Sequence, residues 1–227
     1  MNILAVDTAT EACSVAVKVN SQVFVNYAVC PQQHSAKLLP MVEDTLQQAE
    51  LKLADIHSVA FGKGPGSFTG VRIATSMAQG LAYGNKVPLL PCSTLQALAQ
   101  QAVTQQQSQY VAVAIDARMS EIYFALFKNE QGLATLLGDE QVIAPNTAIQ
   151  QLQGNGHWTA VGSGWEVYSA LNELTNVSRS DILYPNAEYM LPMSEQLIEL
   201  KQTIDPKQVN PTYLRDKVTW KKLPDRE

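Results

Sequence analysis

The chain has 227 residues, 46% of them apolar and 16% charged, the proportions of a folded protein and not of a disordered chain or a charged coiled coil. Its 16 basic and 21 acidic side chains leave a net charge of −5, which excludes a surface that broadly attracts phosphate backbones. No apolar run reaches the roughly 18 residues that span a bilayer, and the chain runs straight into a strand-like segment with no leader pattern, so a cytoplasmic protein without membrane partners is expected.

Ile3 to Val6 and Ser14 to Val19 read as strands, and Val23 to Val29 follows across the turn Asn20-Ser21, making a meander. A helical pattern starts near Ser35, with Leu39, Val42, Leu46 and Ala49 as its core row. Val59 to Phe61 is a short strand, and a second helix runs from about Gly70 to Tyr83. The order is βββαβα.

The Gln-rich stretch Gln100 to Gln109 ends a joining helix, after which the order restarts at Val111. A single ungapped offset carries Asp7 onto Asp116, Val6 onto Ile115, Ala16 onto Ala125 and Asn20 onto Asn129. Further on, Phe61-Gly62-Lys63-Gly64 has a counterpart in Val161-Gly162-Ser163-Gly164, each a strand running into a glycine turn. Two related subdomains are therefore expected, one over 1–105 with the joining helix and one over 106–227 with an irregular tail. The one locally basic stretch, Arg215, Lys217, Lys221 and Lys222 with Tyr213 and Trp220 among them, is either a solvated tail or a nucleic-acid contact.

Chemistry is sought first in the turn Asp7-Thr8-Ala9-Thr10. An acidic residue ending a first strand before a small polar turn can hold a metal-phosphate group, but the glycine that lets a phosphate approach is absent after Asp7. The other reading is that Asp7 and Thr10 hydrogen-bond their own turn. Gly62 to Gly70 holds four glycines in nine residues, Gly62, Gly64, Gly66 and Gly70, yet Lys63 lies too early for a Walker loop. Ser67 and Thr69 read as caps of the second helix, with a nucleotide cradle as the alternative.

The second helix is small or apolar on most sides, with rows Gly70/Ala74/Ala78 and Ile73/Met77/Gly80/Gly84, and the first carries a second row, Leu38, Met41 and Thr45. A helix so lined is either buried within its own fold or packed on a partner's helix. His34, His57 and His157 are scattered with no His-x-x-x-His spacing, and Cys13, Cys30 and Cys92 form no Cys-x-x-Cys, so no metal site, disulfide framework or catalytic residue is expected. Ser163 lacks a nucleophile-elbow spacing, and nothing in the sequence brings Asp116 and Glu121 to one cleft.

Taken together, Ile3 to Thr10, the loop Phe61 to Gly70 running into Val71-Arg72-Ile73, Ser93-Thr94-Leu95 and Pro211-Thr212-Tyr213-Leu214-Arg215 closely resemble the TsaB (YeaZ) family over nearly the whole chain. The resemblance implies the α/β fold shared by actin, sugar kinases and the Hsp70 ATPase, with the duplicated βββαβα order. It implies a bacterial, non-catalytic subunit that pairs with its paralogue TsaD in making threonylcarbamoyladenosine in tRNA, helps recruit the ATPase TsaE, forms a homodimer when alone and meets tRNA through the complex. No cofactor of its own follows, with ATP or ADP bound at the level of the complex. On this footing Asp7, Thr8, Thr10, Gly62, Gly64, Gly66, Ser67, Thr69 and Asp116 mark a vestigial nucleotide cleft. Leu38, Met41, Thr45, Arg72, Ile73, Ser76, Met77, Gly80 and Tyr83 mark the partner interface. The rivals are a sugar-kinase-type phosphotransferase and a metalloprotease-like enzyme.

Overall fold

The apolar run Ile3 to Val6, closed by Asp7, forms β1 (Ile3–Asp7) and lies at the centre of a five-stranded sheet, buried on both faces as a continuous apolar run is. The computed structural model describes residues 1–153 and 156–209, so the basic stretch from Arg215 to Lys222 and the segment Pro211 to Arg215 lie outside the described residues. On one side β1 pairs antiparallel with β2 (Ala12–Val19), which pairs antiparallel with β3 (Gln22–Val29). The hairpin turn contains Asn20 at φ 55°, a left-handed conformation that asparagine tolerates. On the other side β1 is parallel to β4 (Ser58–Gly62), and β4 to β5 (Leu89–Cys92). The connections are α1 (His34–Gln48) and α2 (Phe68–Asn85).

The second half repeats this order. β6 (Tyr110–Asp116), β7 (Ile122–Glu130) and β8 (Leu133–Ile143) form an antiparallel meander. α4 (Pro145–Leu152) leads to β9 (Trp158–Val161), parallel to β6, then to α5 (Gly164–Val167) and to β10 (Val177–Arg179) at the edge. The sheet orders β3-β2-β1-β4-β5 and β8-β7-β6-β9-β10 are the same topology twice, so the duplicated βββαβα order is found, with Asp7 and Asp116 each closing a central strand.

The two sheets are covered by helices from both halves. One face of the first sheet, through Leu4, Val6, Val15 and Val17, packs on α1 and α2. Its other face, through Ile3, Ala5, Ala16 and Ala60, is covered by Met190, Leu191 and Met193 at the start of α6 (Leu191–Glu199). In return α3 (Thr94–Gln106) lays Leu95, Leu98, Ala102 and Val103 on Val111 and Val113 of the second sheet. Each half thus lends the other a helix. α3 ends at Gln106 with Gln107 in a left-handed cap, as the Gln-rich stretch suggests.

α1 starts at His34, one residue before its expected start, and Val42, Leu46 and Ala49 of the expected row face inward while its first member does not. Leu39 is 43% exposed, whereas Leu38 and Thr45 are 0% exposed and Met41 is buried beside Val42 and Leu46. Thr45 is admitted to the core because its hydroxyl donates to the Met41 carbonyl at 2.6 Å, which satisfies the polar group inside its own helix. Leu38, Met41 and Thr45 are therefore core residues of the subunit and not a free second row. No helix among the described residues is long and apolar enough to cross a membrane.

Candidate functional site

The Asp7-to-Thr10 turn and the glycine loop are folded onto each other. Ser67 donates its backbone N–H to the Ala9 carbonyl at 2.7 Å, and the Thr8 hydroxyl donates to the Gly70 carbonyl at 2.7 Å. Three of the loop glycines are there because there is no room for a side chain. A Cβ on Gly62 would fall 1.7 Å from Asp7 Oδ2, one on Gly66 2.3 Å from the Ala9 carbonyl oxygen, and one on Gly70 2.0 Å from the Thr8 carbonyl oxygen. Gly64, at φ 97°, makes the turn itself, and its carbonyl accepts the Thr94 N–H at 3.0 Å. Ser67 is the N-cap of α2, accepting the Gly70 N–H at 3.1 Å, whereas Thr69 is exposed in the first turn and supplies no cap.

Asp7 is 1% exposed. Its Oδ1 accepts the Ala9 N–H at 3.0 Å, and its Oδ2 has no hydrogen-bond partner. Burial pushes its carboxyl up to about 7 from 3.8, against the weaker opposing pull of the Ala9 N–H. The folded state therefore holds this proton more tightly than the unfolded chain. The stability it contributes is full below pH 3.8 and is lost as pH rises through about 7. Over that window the loss amounts to about 4 kcal/mol, at about 1.4 kcal/mol per pH unit. Asp7→Asn cannot ionise, so denaturant titrations between pH 5 and 8 should show wild type losing stability relative to this variant as pH rises. Parallel curves would refute the buried acid. Thr10 closes the turn by accepting the Ala12 N–H at 3.4 Å.

Asp116, the counterpart of Asp7, is tied into the second half. Its Oδ1 accepts the Arg118 N–H at 2.9 Å and the Tyr168 hydroxyl at 2.9 Å, its own N–H donates to Ser163 Oγ at 3.3 Å, and Arg118 Nη1 lies 3.4 Å from Oδ2. Tyr168 also donates to the Glu121 carbonyl at 3.2 Å, and burial together with Asp116 pushes its phenol up to about 12. The structure thus gathers Asp7, Thr8, Gly62, Gly66 and Ser67 in one cluster and Asp116 in another. Sequence reasoning missed Tyr168, and also Glu140 at the junction of the halves, because neither sits in a motif or a periodic row.

The outer surface of α2 presents Arg72, Ser76, Gly80 and Tyr83, the last 59% exposed, with Ile73 and Met77 half-buried beside them. The guanidinium of Arg72 stacks 3.4 Å over the Phe68 ring. Gly80 and Gly84 have nothing within 4 Å of where a Cβ would be, unlike the loop glycines. Ala74 and Ala78 face inward and are fully buried. Along α1 and the segment that follows it runs an open groove of about 560 Å³, lined by Leu39, Val42, Glu43, Leu46 and Glu50 and reached from α2 by Leu81.

Among the described residues no group of three or more His, Cys, Asp or Glu is placed to hold a metal. His57 Nδ1 accepts the Asn2 N–H, and His157 Nε2 pairs with Ser178 Oγ. Burial drives the Cys13 thiol up to about 12 and Cys92 up to about 11, which leaves both as inert packing groups.

Residues 25–223 match the family model described as TsaD, tRNA N6-adenosine threonylcarbamoyltransferase. The chain is 42% identical to the tRNA threonylcarbamoyladenosine biosynthesis protein TsaB of Escherichia coli, covering 100% of both chains. It is 42% identical to the Haemophilus influenzae protein of the same name, over 100% of this chain and 99% of that one. The solved structure of YeaZ from Pseudomonas aeruginosa superposes with a TM-score of 0.87 at 39% identity, over 94% of this chain and 99% of that one. The duplicated βββαβα order expected from the residues is borne out by the two matching sheets, and the α/β fold implied by the family resemblance by that superposition.

Proposed function

Since the chain belongs to the TsaB family, we propose that it serves the synthesis of threonylcarbamoyladenosine in tRNA in the cytoplasm, as a non-catalytic subunit that activates TsaD by pairing with it through the outer face of α2. The observation that carries the reading is the contrast between two sets of glycines. Those of the loop are spent on packing Gly62, Gly66 and Gly70 against the Asp7 turn, in the place where a kinase would cradle a phosphate. Gly80 and Gly84 on α2 touch nothing in the subunit, so their lack of a side chain serves no internal contact. Small residues on an exposed helix let a second helix approach closely, and a four-helix arrangement with the partner can bury the roughly 1,600 Å² of a stable interface.

The same face supports a homodimer when TsaD is absent, and TsaE and tRNA join at the level of the complex, where ATP or ADP binds. The test is a reconstituted reaction with tRNA, TsaD, TsaE and threonylcarbamoyl-AMP, run with and without this protein, alongside sizing of its mixture with TsaD. Modification that depends on the protein, with a one-to-one complex, is the expected result. Unchanged modification and no complex would remove the reading and turn attention to phosphoryl transfer by the purified chain.

A further inference from the structure

β8 does not run evenly along β7. Gln141 pairs with Phe124 and Leu137 with Leu126, so Gly138, Asp139 and Glu140 together stand opposite Ala125, with Gly138 at φ 81°. Bulges of this kind re-aim a side chain that a regular strand would send elsewhere. Here the redirected side chain is Glu140, whose carboxylate accepts a hydrogen bond from the Ser93 hydroxyl.

Ser93 is the N-cap of α3, accepting the Gln96 N–H at 3.2 Å, and is itself buried. The adjoining backbone is zipped to the glycine loop: the Lys63 N–H donates to the Cys92 carbonyl at 2.9 Å and the Thr94 N–H to the Gly64 carbonyl at 3.0 Å. Lys63, half-buried in that loop, bears electrostatically on Glu140. Burial lifts the Glu140 carboxyl above its ordinary value, while the Ser93 hydroxyl and the Lys63 ammonium pull it back toward the ionised form. One carboxylate from the second sheet thus hydrogen-bonds the head of α3 and lies within electrostatic reach of the cation of the first half's loop.

We propose that Glu140 is an interlobe tether: presented by the β8 bulge, it holds the glycine loop closed through Ser93 and Lys63, and so fixes the head of α2 to the second sheet. The loop runs directly into the Ser67 cap of α2, so a shift of the second sheet is passed to that helix.

Hydrogen exchange on the full chain, read by mass spectrometry, tests it. In Glu140→Ala, amides of residues 63–68 and 94–97 should exchange about ten-fold faster, as expected for loss of a charge-assisted hydrogen bond, while those of β2 and β7 keep wild-type rates. Lys63→Ala should accelerate the same loop amides, and the double variant should exchange no faster than Glu140→Ala alone. Ser93→Ala approaches from the other side and should loosen residues 138–141, which keeps the test open if Glu140→Ala fails to fold. Loop exchange unchanged in a folded Glu140→Ala protein, additive effects in the double variant, or no response at the bulge in Ser93→Ala each overturn the tether.

Discussion

Alanine in place of Gly70 should cost the isolated protein about 3 kcal/mol or more of unfolding free energy, a large loss for one methyl group. Its Cβ would lie 2.0 Å from the Thr8 carbonyl oxygen and 2.5 Å from Ser67 Oγ, and neither neighbour can yield cheaply. The first belongs to the buried turn after β1. The second is the cap of α2, and the Gly70 N–H itself donates to it. Relief therefore requires the loop to lift from the turn, which also breaks the bond from the Thr8 hydroxyl to the Gly70 carbonyl. Gly84→Ala is the internal control. It meets nothing within 4 Å and removes a glycine from a helix, so it should stabilise by about 0.5–1 kcal/mol. Denaturant unfolding of the two variants beside wild type decides the matter, and a Gly70→Ala protein as stable as wild type would mean the loop is not packed as described.

Gly80→Leu should leave the isolated subunit folded and weaken pairing with TsaD at least about 100-fold, or about 2.7 kcal/mol. A leucine there has open space in the subunit and removes a glycine from a helix, so stability should rise by about 0.5–1 kcal/mol. The loss comes from a bulky side chain between helix axes that approach closely only where residues are small. Tyr83→Ser, on the same exposed face, should weaken the complex without reshaping α2. Calorimetry with TsaD, together with circular dichroism and melting of each variant, separates binding from folding. Wild-type affinity in a folded Gly80→Leu protein would remove the α2 face from the interface.

The central strands, the repeat and the glycine loop were legible because each rests on a local rule: apolar runs for strands buried on both faces, equal offsets for duplication, glycine where backbone must approach backbone. The full width of the inward face of α1 was not, because Thr45 looks polar in sequence and becomes a core residue only through its bond to the Met41 carbonyl. Thr69 reads as a cap on composition, yet Ser67 alone has the extended backbone and the bond to Gly70 N–H that capping needs. Glu140 was invisible for a different reason. Its role follows from a register change deep in β8, of which Gly138 inside the strand is the local mark, while the partner that the redirected carboxylate meets is set by tertiary packing.

The exchange of covering helices between the halves bears on how the chain matures. The first sheet is complete in its strands once Cys92 has been made, but Ile3, Ala5, Ala16 and Ala60 wait for a lid that begins with Met190. During synthesis the early half must carry an uncovered apolar face through nearly a hundred further residues, a period in which chaperone contact or self-association competes with folding. Joined this way, the halves should melt as one cooperative unit in calorimetry and not as two autonomously folding modules.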